Sequence, residues 1–252
     1  MNLNNINNLL ELFFKQFENQ KDKKKILLSS LKDKSKNISW EQALKFISIL
    51  SKEIKKNVNK GDRCLLVSEN RPEWFISDLS IMLSGAITVP TYTTYVEKDY
   101  EYIINDCTPS VIFVSNNEQF IKLKNIINNK KFIKRIFSFE KLDDFDEIKY
   151  VNINNLFLET TYTNDNFKIE LTRKDPACII YTSGTQGNPK GVILSHGGIL
   201  NNCEGAIEIL KPLITKDQTR FLTWLPLSHS YEHTVQFVQI TVSARIYYAE
   251  SI

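Results

Sequence analysis

Apolar residues recur along the chain with two different spacings, and these spacings predict its helices and strands. Near the N-terminus the apolar positions fall three and one residues apart, which is the pattern of one helix face. Ser39 and Gln42 have the spacing of a capping box ahead of a periodic run that continues to about Lys56. Short apolar runs at 63–67 and 86–90 are typical of buried strands.

The alternation of helices and strands continues through most of the remaining chain. Further strands are predicted at 111–114, 133–137, 177–181, 192–194, 220–224 and 245–248. Further helices are predicted at about 98–106 and 118–129, from about Gly198, and after Ser230. Asn70 is predicted to cap a helix that holds Pro72 in its first turn and ends at Gly85. This order predicts an α/β protein with parallel, doubly wound sheets and flanking helices.

Residues 138–176 interrupt this pattern because they are acidic, rich in Asn and poorly periodic. They hold nine acidic against five basic residues, whereas residues 1–60 hold thirteen Lys against six acidic residues. We therefore expect a first α/β part at 1–137, an irregular acidic excursion at 138–176, and a second α/β part at 177–252.

Composition and sequence pattern argue against a protein that binds nucleic acid, spans a membrane or is secreted. The 252 residues carry a net charge of +3, and 42% are apolar, which is typical of a globular chain. Only six of the 32 basic residues are Arg, the residue best suited to bidentate recognition of bases and phosphates, so we expect no nucleic-acid partner. No apolar run is long enough to span a membrane, and the N-terminus lacks the pattern of a secretory signal. The isolated cysteines, Cys64, Cys107, Cys178 and Cys203, favour a reducing compartment, so we expect a cytoplasmic protein.

The first predicted helix has two interpretations. Its apolar positions are Ile6, Leu9, Leu10, Phe13, Phe14 and Phe17. Lys15 and the basic cluster at 21–25 lie beside this apolar face, which is consistent with a peripheral helix on a membrane surface. The favoured interpretation is a helix that packs on its own domain.

One stretch, Tyr181-Thr-Ser-Gly-Thr-Gln-Gly-Asn-Pro-Lys-Gly191, carries most of the chemical information. Gly184 and Gly187 allow the backbone to wrap so that successive N–H groups point inward and bind phosphate oxygens. Hydroxyl donors are supplied by Thr182, Ser183 and Thr185, and Lys190 places a positive charge on a polyphosphate. The stretch lacks the Gly-Lys-Ser/Thr ending of a P-loop and the Gly-x-Gly-x-x-Gly pattern of dinucleotide-binding folds.

This stretch resembles the signature loop of the adenylate-forming (AMP-binding) synthetases, which include acyl-CoA synthetases, luciferases and peptide-synthetase adenylation domains. Residues 68–74, 85–94 and 225–233 are similar to stretches of long-chain fatty acid–CoA ligases. The last of these, Leu-Pro-Leu-Ser-His-Ser-Tyr-Glu-His, looks closer to that branch than to the acetate or peptide-synthetase branches. The resemblance extends from about Ile38 to the end of the chain and implies the N-terminal part of the adenylate-forming enzyme fold.

The resemblance implies an ATP-dependent ligase that acts in two half-reactions. A long-chain fatty carboxylate attacks the α-phosphorus of ATP, which gives acyl-adenylate and releases pyrophosphate. The thiol of coenzyme A then attacks the acyl carbon while AMP leaves. The implied ATP-binding residues are Thr182, Ser183, Gly184, Thr185, Gln186, Gly187, Asn188, Pro189 and Lys190. Thr182 is further implied to hold Mg²⁺, and Lys190 to counter the charge on the departing pyrophosphate. His229 is implied to gate or orient the substrate on the acyl and coenzyme A side.

The segment from His229 to His233 allows other interpretations. His-x-x-Glu-His is also a zinc-site pattern, but a hydrolase would need a third ligand, and Glu250 is the only acidic residue that follows. A zinc hydrolase is therefore a distant alternative. A His packed at a strand–helix junction remains open for His229, and a structural or capping role is expected for His196.

Several parts of the family pattern have no counterpart in these 252 residues. The family places a Tyr-Gly-x-Thr-Glu segment, a ribose-binding Asp, and a Lys on a mobile C-terminal domain after the stretches matched above. We therefore expect this chain to be the N-terminal part of a ligase, without its C-terminal domain. The alternative is a non-catalytic remnant that binds nucleotide phosphates or acyl groups.

Gln186 departs from the family loop, in which Thr or Ser is usual at this position. Its amide N–H groups still donate to phosphate, but the side chain is longer and has no hydroxyl group. We expect Gln186→Thr to change the apparent KM for ATP, measured by ATP–pyrophosphate exchange on the complete ligase. An unchanged KM would count against this interpretation.

Overall fold

The computed structural model describes residues 3–128, 130–143, 149–163, 169–182, 188–214 and 219–249. The helices within these ranges are α1 (Leu9–Asn19), α2 (Trp40–Lys55), α3 (Pro72–Leu83), α4 (Glu97–Cys107), α5 (Asn117–Ile127), α6 (Ile153–Glu159), α7 (His196–Leu210) and α8 (Ser230–Thr241). The strands are β1 (Ile26–Ser30), β2 (Ile38–Ser39), β3 (Arg63–Val67), β4 (Ile87–Thr91), β5 (Val111–Val114), β6 (Arg135–Ser138), β7 (Tyr150–Asn152), β8 (Pro176–Thr182), β9 (Lys190–Ser195), β10 (Arg220–Thr223) and β11 (Arg245–Tyr248).

These strands form two sheets. The larger sheet has seven strands in the order β7-β6-β5-β3-β4-β8-β9, and the smaller has four in the order β10-β11-β1-β2. The predicted α/β fold with parallel sheets is confirmed, but the pairs β8–β9 and β1–β2 are antiparallel. The segment between β8 and β9 is too short for the crossover of about a dozen residues that a parallel connection needs. Strands β8 and β9 therefore form a hairpin at one edge of the larger sheet, and the Gly-rich stretch connects them in the sequence.

Helices cover both faces of the larger sheet. Successive side chains of a strand point to opposite faces, so Leu65 packs in the apolar cluster formed with α4 and α5. Leu66 packs in the other cluster, which also contains buried residues of α2, α3, α8 and the smaller sheet. Helix α3 contacts β3 and β4 of the larger sheet and β1 of the smaller one. It therefore lies between the two sheets, and every residue from Pro72 to Met82 is buried.

The first helix packs on the domain, which confirms the favoured interpretation. Its residues Leu9 and Phe13 are fully buried, and the ring of Phe13 stacks on Trp40 with centroids 5.6 Å apart. Asn8 begins α1, because its side-chain oxygen accepts a hydrogen bond from the Glu11 N–H. In the part of the chain that the structure describes, no helix has both the length and the apolar character needed to cross a membrane.

The acidic segment at 138–176 contains regular structure that its sequence does not predict. Strand β7 extends the larger sheet beside β6, and α6 places Phe157 against Phe46 of α2 with ring centroids 4.2 Å apart. Both elements are short, so they lack the periodicity that reveals longer ones. Residues 144–148 and 164–168 lie outside the described residues, and the division of the chain into three parts stays a prediction.

Candidate functional site

The hairpin of β8 and β9 carries the ends of the predicted phosphate loop. Thr182 is the last residue of β8, Lys190 is the first of β9, and the two are paired directly across the hairpin. Residues paired in this way have Cβ atoms about 4.5–5.5 Å apart on the same face of the sheet. Both residues are exposed. A hydroxyl group and an ammonium group therefore flank the base of the loop.

The middle of the predicted loop lies outside the described residues. It comprises Ser183, Gly184, Thr185, Gln186 and Gly187. Two further residues of the predicted loop, Asn188 and Pro189, directly precede Lys190. Asn188 is exposed and Pro189 is half-buried. Binding of ATP by these seven residues stays a prediction.

Tyr181 fixes the base of the loop, and the sequence analysis missed this role. Its ring lies beside Gly191, so that a Cβ atom on Gly191 would be 3.2 Å from the ring Cζ and 2.9 Å from a methyl group of Ile179. The Tyr181 hydroxyl donates a hydrogen bond to Asp106 at the end of α4. Burial and this hydrogen bond raise the pKa of Tyr181, so the phenol keeps its proton and remains a donor. The available signal for this role was an aromatic residue, Tyr181, placed across the predicted loop from a glycine, Gly191.

An apolar groove of about 700 Å³ opens beside the hairpin, between α7 and α8. Its wall includes Leu194, Ile199, Ala206, Tyr231, Val235 and Val238. Leu194 lies on β9, four residues after Lys190. The groove and the loop therefore share one strand. The sequence did not reveal the groove, because it depends on how the consecutive elements β9, α7, β10 and α8 pack against one another.

His229 lies at the N-terminus of α8, beside the groove wall. Its ring Nδ1 accepts a hydrogen bond from the Tyr231 N–H at 3.2 Å, which caps the helix. His229 is exposed, so it lies at a strand–helix junction without being packed there. Its predicted role on the acyl side of the site stays a prediction.

Asn70 does not cap α3, and this part of the sequence prediction is wrong. Its Nδ2 donates to the Leu225 carbonyl at 2.7 Å, and its Oδ1 accepts from the Leu227 N–H at 2.9 Å. Arg71 occupies the N-cap position without a side-chain cap bond. Backbone groups that water does not reach need partners within the protein, and the carboxamide supplies them for this partly buried segment instead of capping the helix.

His233 and Asp78 form a buried pair between α8 and α3. Their Nε2 and Oδ2 atoms are 2.9 Å apart, and both side chains are completely shielded from solvent. Burial by itself opposes a charged imidazole, but the neighbouring Cys178 and Asp78 raise the pKa of His233 to about 10. His233 is therefore protonated at neutral pH, and the ion pair anchors α8 to α3.

The residues of the His-x-x-Glu-His pattern do not converge on one point. His229 is exposed and caps α8, whereas His233 is bonded to Asp78 in the interior. Glu232 is also buried, and burial raises its pKa to about 7. Across the described ranges, no group of three or more His, Cys, Asp or Glu residues could hold a metal ion.

His196 has the structural role that the sequence predicted. It is fully buried at the start of α7, and its Nδ1 accepts a hydrogen bond from the Leu9 N–H at 3.4 Å. Burial lowers the pKa of His196 to about 4, so the ring is neutral at physiological pH and remains an acceptor.

Comparison with known proteins decides the family. A family model described as AMP-binding enzyme matches residues 13–252. This chain belongs to the AMP-binding enzyme family. Long chain acyl-CoA synthetase 3 of Arabidopsis thaliana is 32% identical over 203 residues, which cover 75% of this chain and 30% of that protein. Fatty acyl-CoA synthetase A of Dictyostelium discoideum is 30% identical over 223 residues, which cover 83% of this chain and 32% of that protein.

This member of the AMP-binding family thus spans about a third of the length of these two curated relatives. Among solved structures, ATP-bound MatB from Rhodopseudomonas palustris matches with a TM-score of 0.77 and 19% identity. That match covers 97% of this chain and 46% of MatB. The likeness confirms the predicted fold of the adenylate-forming enzymes.

The buried pair makes a prediction about stability and pH. The folded-state pKa of His233, about 10, lies above its unfolded value of about 6.5. The protonated pair therefore stabilises the fold fully below pH 6.5, and this contribution is lost as the pH rises through 10. Relative to the double variant Asp78→Asn/His233→Gln, the wild type should lose about 3–5 kcal/mol of unfolding free energy between pH 6.5 and 10.

Urea unfolding at a series of pH values measures this difference directly. His229→Gln is the matched control, because it removes an exposed His of the same segment and leaves the buried pair intact. A constant difference between the wild type and the double variant from pH 6.5 to 10 would contradict the assignment of a protonated His233.

Proposed function

We propose that this chain is the N-terminal part of an AMP-forming ligase that activates a long-chain fatty acid with ATP and transfers it to coenzyme A. The observation that carries the proposal is the position of a Lys-bearing hairpin and an apolar groove on the same strand. Lys190 begins β9 and Leu194 lines the groove, about 13 Å further along an extended strand. The names of the curated relatives, an acyl-CoA synthetase and a fatty acyl-CoA synthetase, support this substrate class.

The groove suits the acyl chain of the substrate. Its volume falls in the range of about 300–1,000 Å³ that small-molecule sites occupy, and its wall is mostly aliphatic. Each methylene group that it buries contributes about 0.8 kcal/mol, so longer acids bind more tightly until the groove is filled. Ser230 and Tyr231 bring hydroxyl groups to the wall at the N-terminus of α8, where the helix dipole favours a carboxylate.

The base of the loop suits the phosphates of ATP. Thr182 offers a hydroxyl oxygen and Lys190 an ammonium group on the same face of the hairpin. In the proposed reaction Lys190 neutralises charge on the departing pyrophosphate, while residues 183–189 surround the phosphates. Mg²⁺ prefers oxygen ligands, and Thr182 supplies one; the ion would add positive charge to the phosphates when bound. His229 orients the acyl end for attack by the thiol of coenzyme A.

ATP–pyrophosphate exchange tests the first half-reaction. On the complete reading frame, we expect exchange that depends on a long-chain fatty acid and that acetate does not support. Lys190→Ala should lower kcat for exchange by about 100-fold or more, because a charge that stabilises the transition state is lost. Lys56→Ala is the control, since it removes an exposed lysine that follows the end of α2 and lies outside the hairpin.

The 252-residue chain by itself should show no exchange. Robust exchange by this chain, abolished by Lys190→Ala, would overturn its assignment as only the N-terminal part of the catalytic unit. A reading frame that ends at Ile252, together with a folded chain that lacks exchange, would contradict the ligase and favour a binding remnant.

A further inference from the structure

We propose that Asn70 is a positioning residue for the acyl groove, an inference that rests on the function proposed above. Both polar groups of its carboxamide are bonded to one backbone segment: the Nδ2 donates to Leu225 and the Oδ1 accepts from Leu227. These residues lie 155 and 157 positions later in the chain. Asn70 is only 7% exposed, and its bond to Leu227 is buried whereas its bond to Leu225 is part-buried.

The two hydrogen bonds join the two sheets. Asn70 follows the carboxyl end of β3 in the larger sheet, and Leu225 follows the carboxyl end of β10 in the smaller one. In open α/β sheets the carboxyl ends of the strands are the edge at which ligands bind. The carboxamide therefore connects the two sheets where the carboxyl ends of β3 and β10 lie, just ahead of the segment that leads into α8.

The bonded segment leads directly into α8. Leu227 is buried, and the His229 N–H donates to the Pro226 carbonyl at 2.9 Å, which closes the turn ahead of the helix. Ser230 and Tyr231, the first residues of α8, then line the groove. The place of residues 225–227 thus determines where the wall of the groove begins.

Helix α8 is held at a second point by the buried pair of His233 and Asp78. His233 lies within α8, one turn after its start, and its contact with Asp78 holds the helix against α3. Asn70 acts on the segment ahead of the helix. Loss of Asn70 should therefore leave α8 in place and release its first turn, where Tyr231 and the cap from His229 lie.

The side-chain chemistry explains why Asn is suited to this position. It offers one donor and one acceptor at the distance that a carbonyl and an N–H group two residues apart require. Asp would keep the acceptor for Leu227 but would place a second acceptor against the Leu225 carbonyl. Ala would leave the part-buried Leu225 carbonyl and the buried Leu227 N–H without these partners.

The test compares three variants of the 252-residue chain. Asn70→Ala removes both hydrogen bonds, whereas Asn70→Asp keeps the one to Leu227. If Asn70→Ala fails to fold, Asn70→Asp still tests the positioning role. Asn152→Ala is the control, because Asn152 likewise donates to one backbone carbonyl and accepts from backbone N–H groups. Asn152 belongs to β7 and the groove includes β9, and these are the two opposite edge strands of the larger sheet.

Binding of the fluorescent fatty acid cis-parinaric acid is measured at a temperature at which all variants are folded. We expect Asn70→Ala to weaken binding about tenfold, Asn70→Asp to weaken it less, and Asn152→Ala to change it by less than about twofold. Amide hydrogen exchange provides a second measurement that needs no ligand. Exchange of residues 225–231 should rise in Asn70→Ala and remain unchanged in Asn152→Ala.

The outcomes separate this inference from the proposed function. If the wild type binds the fatty acid and Asn70→Ala binds equally well, with unchanged exchange at 225–231, the positioning role is wrong and the acyl site stands. If the wild type does not bind the fatty acid, the proposed acyl site fails, and hydrogen exchange alone then decides whether Asn70 positions the start of α8.

Discussion

The burial of α3 between two sheets constrains the structure around it. With every residue from Pro72 to Met82 buried, this helix has no face on which a polar side chain could reach water. Asp78 therefore needs a partner within the protein, and His233 of α8 supplies it. Breaking such a buried pair from one side leaves an uncompensated charge, which is far more costly than losing an exposed ion pair. The position of α8 thus follows from the burial of α3.

The proposed site is built on elements that this arrangement fixes. Helix α8 forms one wall of the groove, and β9 connects that groove to the hairpin on which Thr182 and Lys190 lie. Tyr181 holds the base of the hairpin through Asp106 of α4, on the other face of the larger sheet. The phosphate and acyl sides of the proposed reaction therefore rest on strands and helices that pack within the two apolar clusters.

Sequence reasoning succeeded where the determinants are local. The strands at 111–114 and 245–248 were predicted with the bounds that the structure shows, because short runs rich in β-branched and aromatic residues mark them. The capping box at Ser39 was also predicted, and both of its hydrogen bonds are present. By contrast, Asn70 was predicted to cap α3. The sequence does not show that backbone groups of Leu225 and Leu227 bind its side chain instead.

The same distinction applies to the proposed site. The chemistry of the loop was visible as a dense set of Gly and hydroxyl residues, but the groove depends on how α7 and α8 pack. His229 and His233 are four residues apart, yet one caps an exposed helix end and the other is buried in a charged pair. Their spacing alone suggested a shared metal, and only the surrounding helices separate their roles.

The central claim, that the groove between α7 and α8 holds the acyl chain, is tested most directly by photolabelling. A long-chain fatty acid with a diazirine near its methyl end is irradiated with the protein, and the adducts are mapped by mass spectrometry. The account predicts adducts within 194–210 and 230–238 that excess palmitate removes. Adducts confined to other parts of the chain, or adducts that palmitate leaves unchanged, would contradict it.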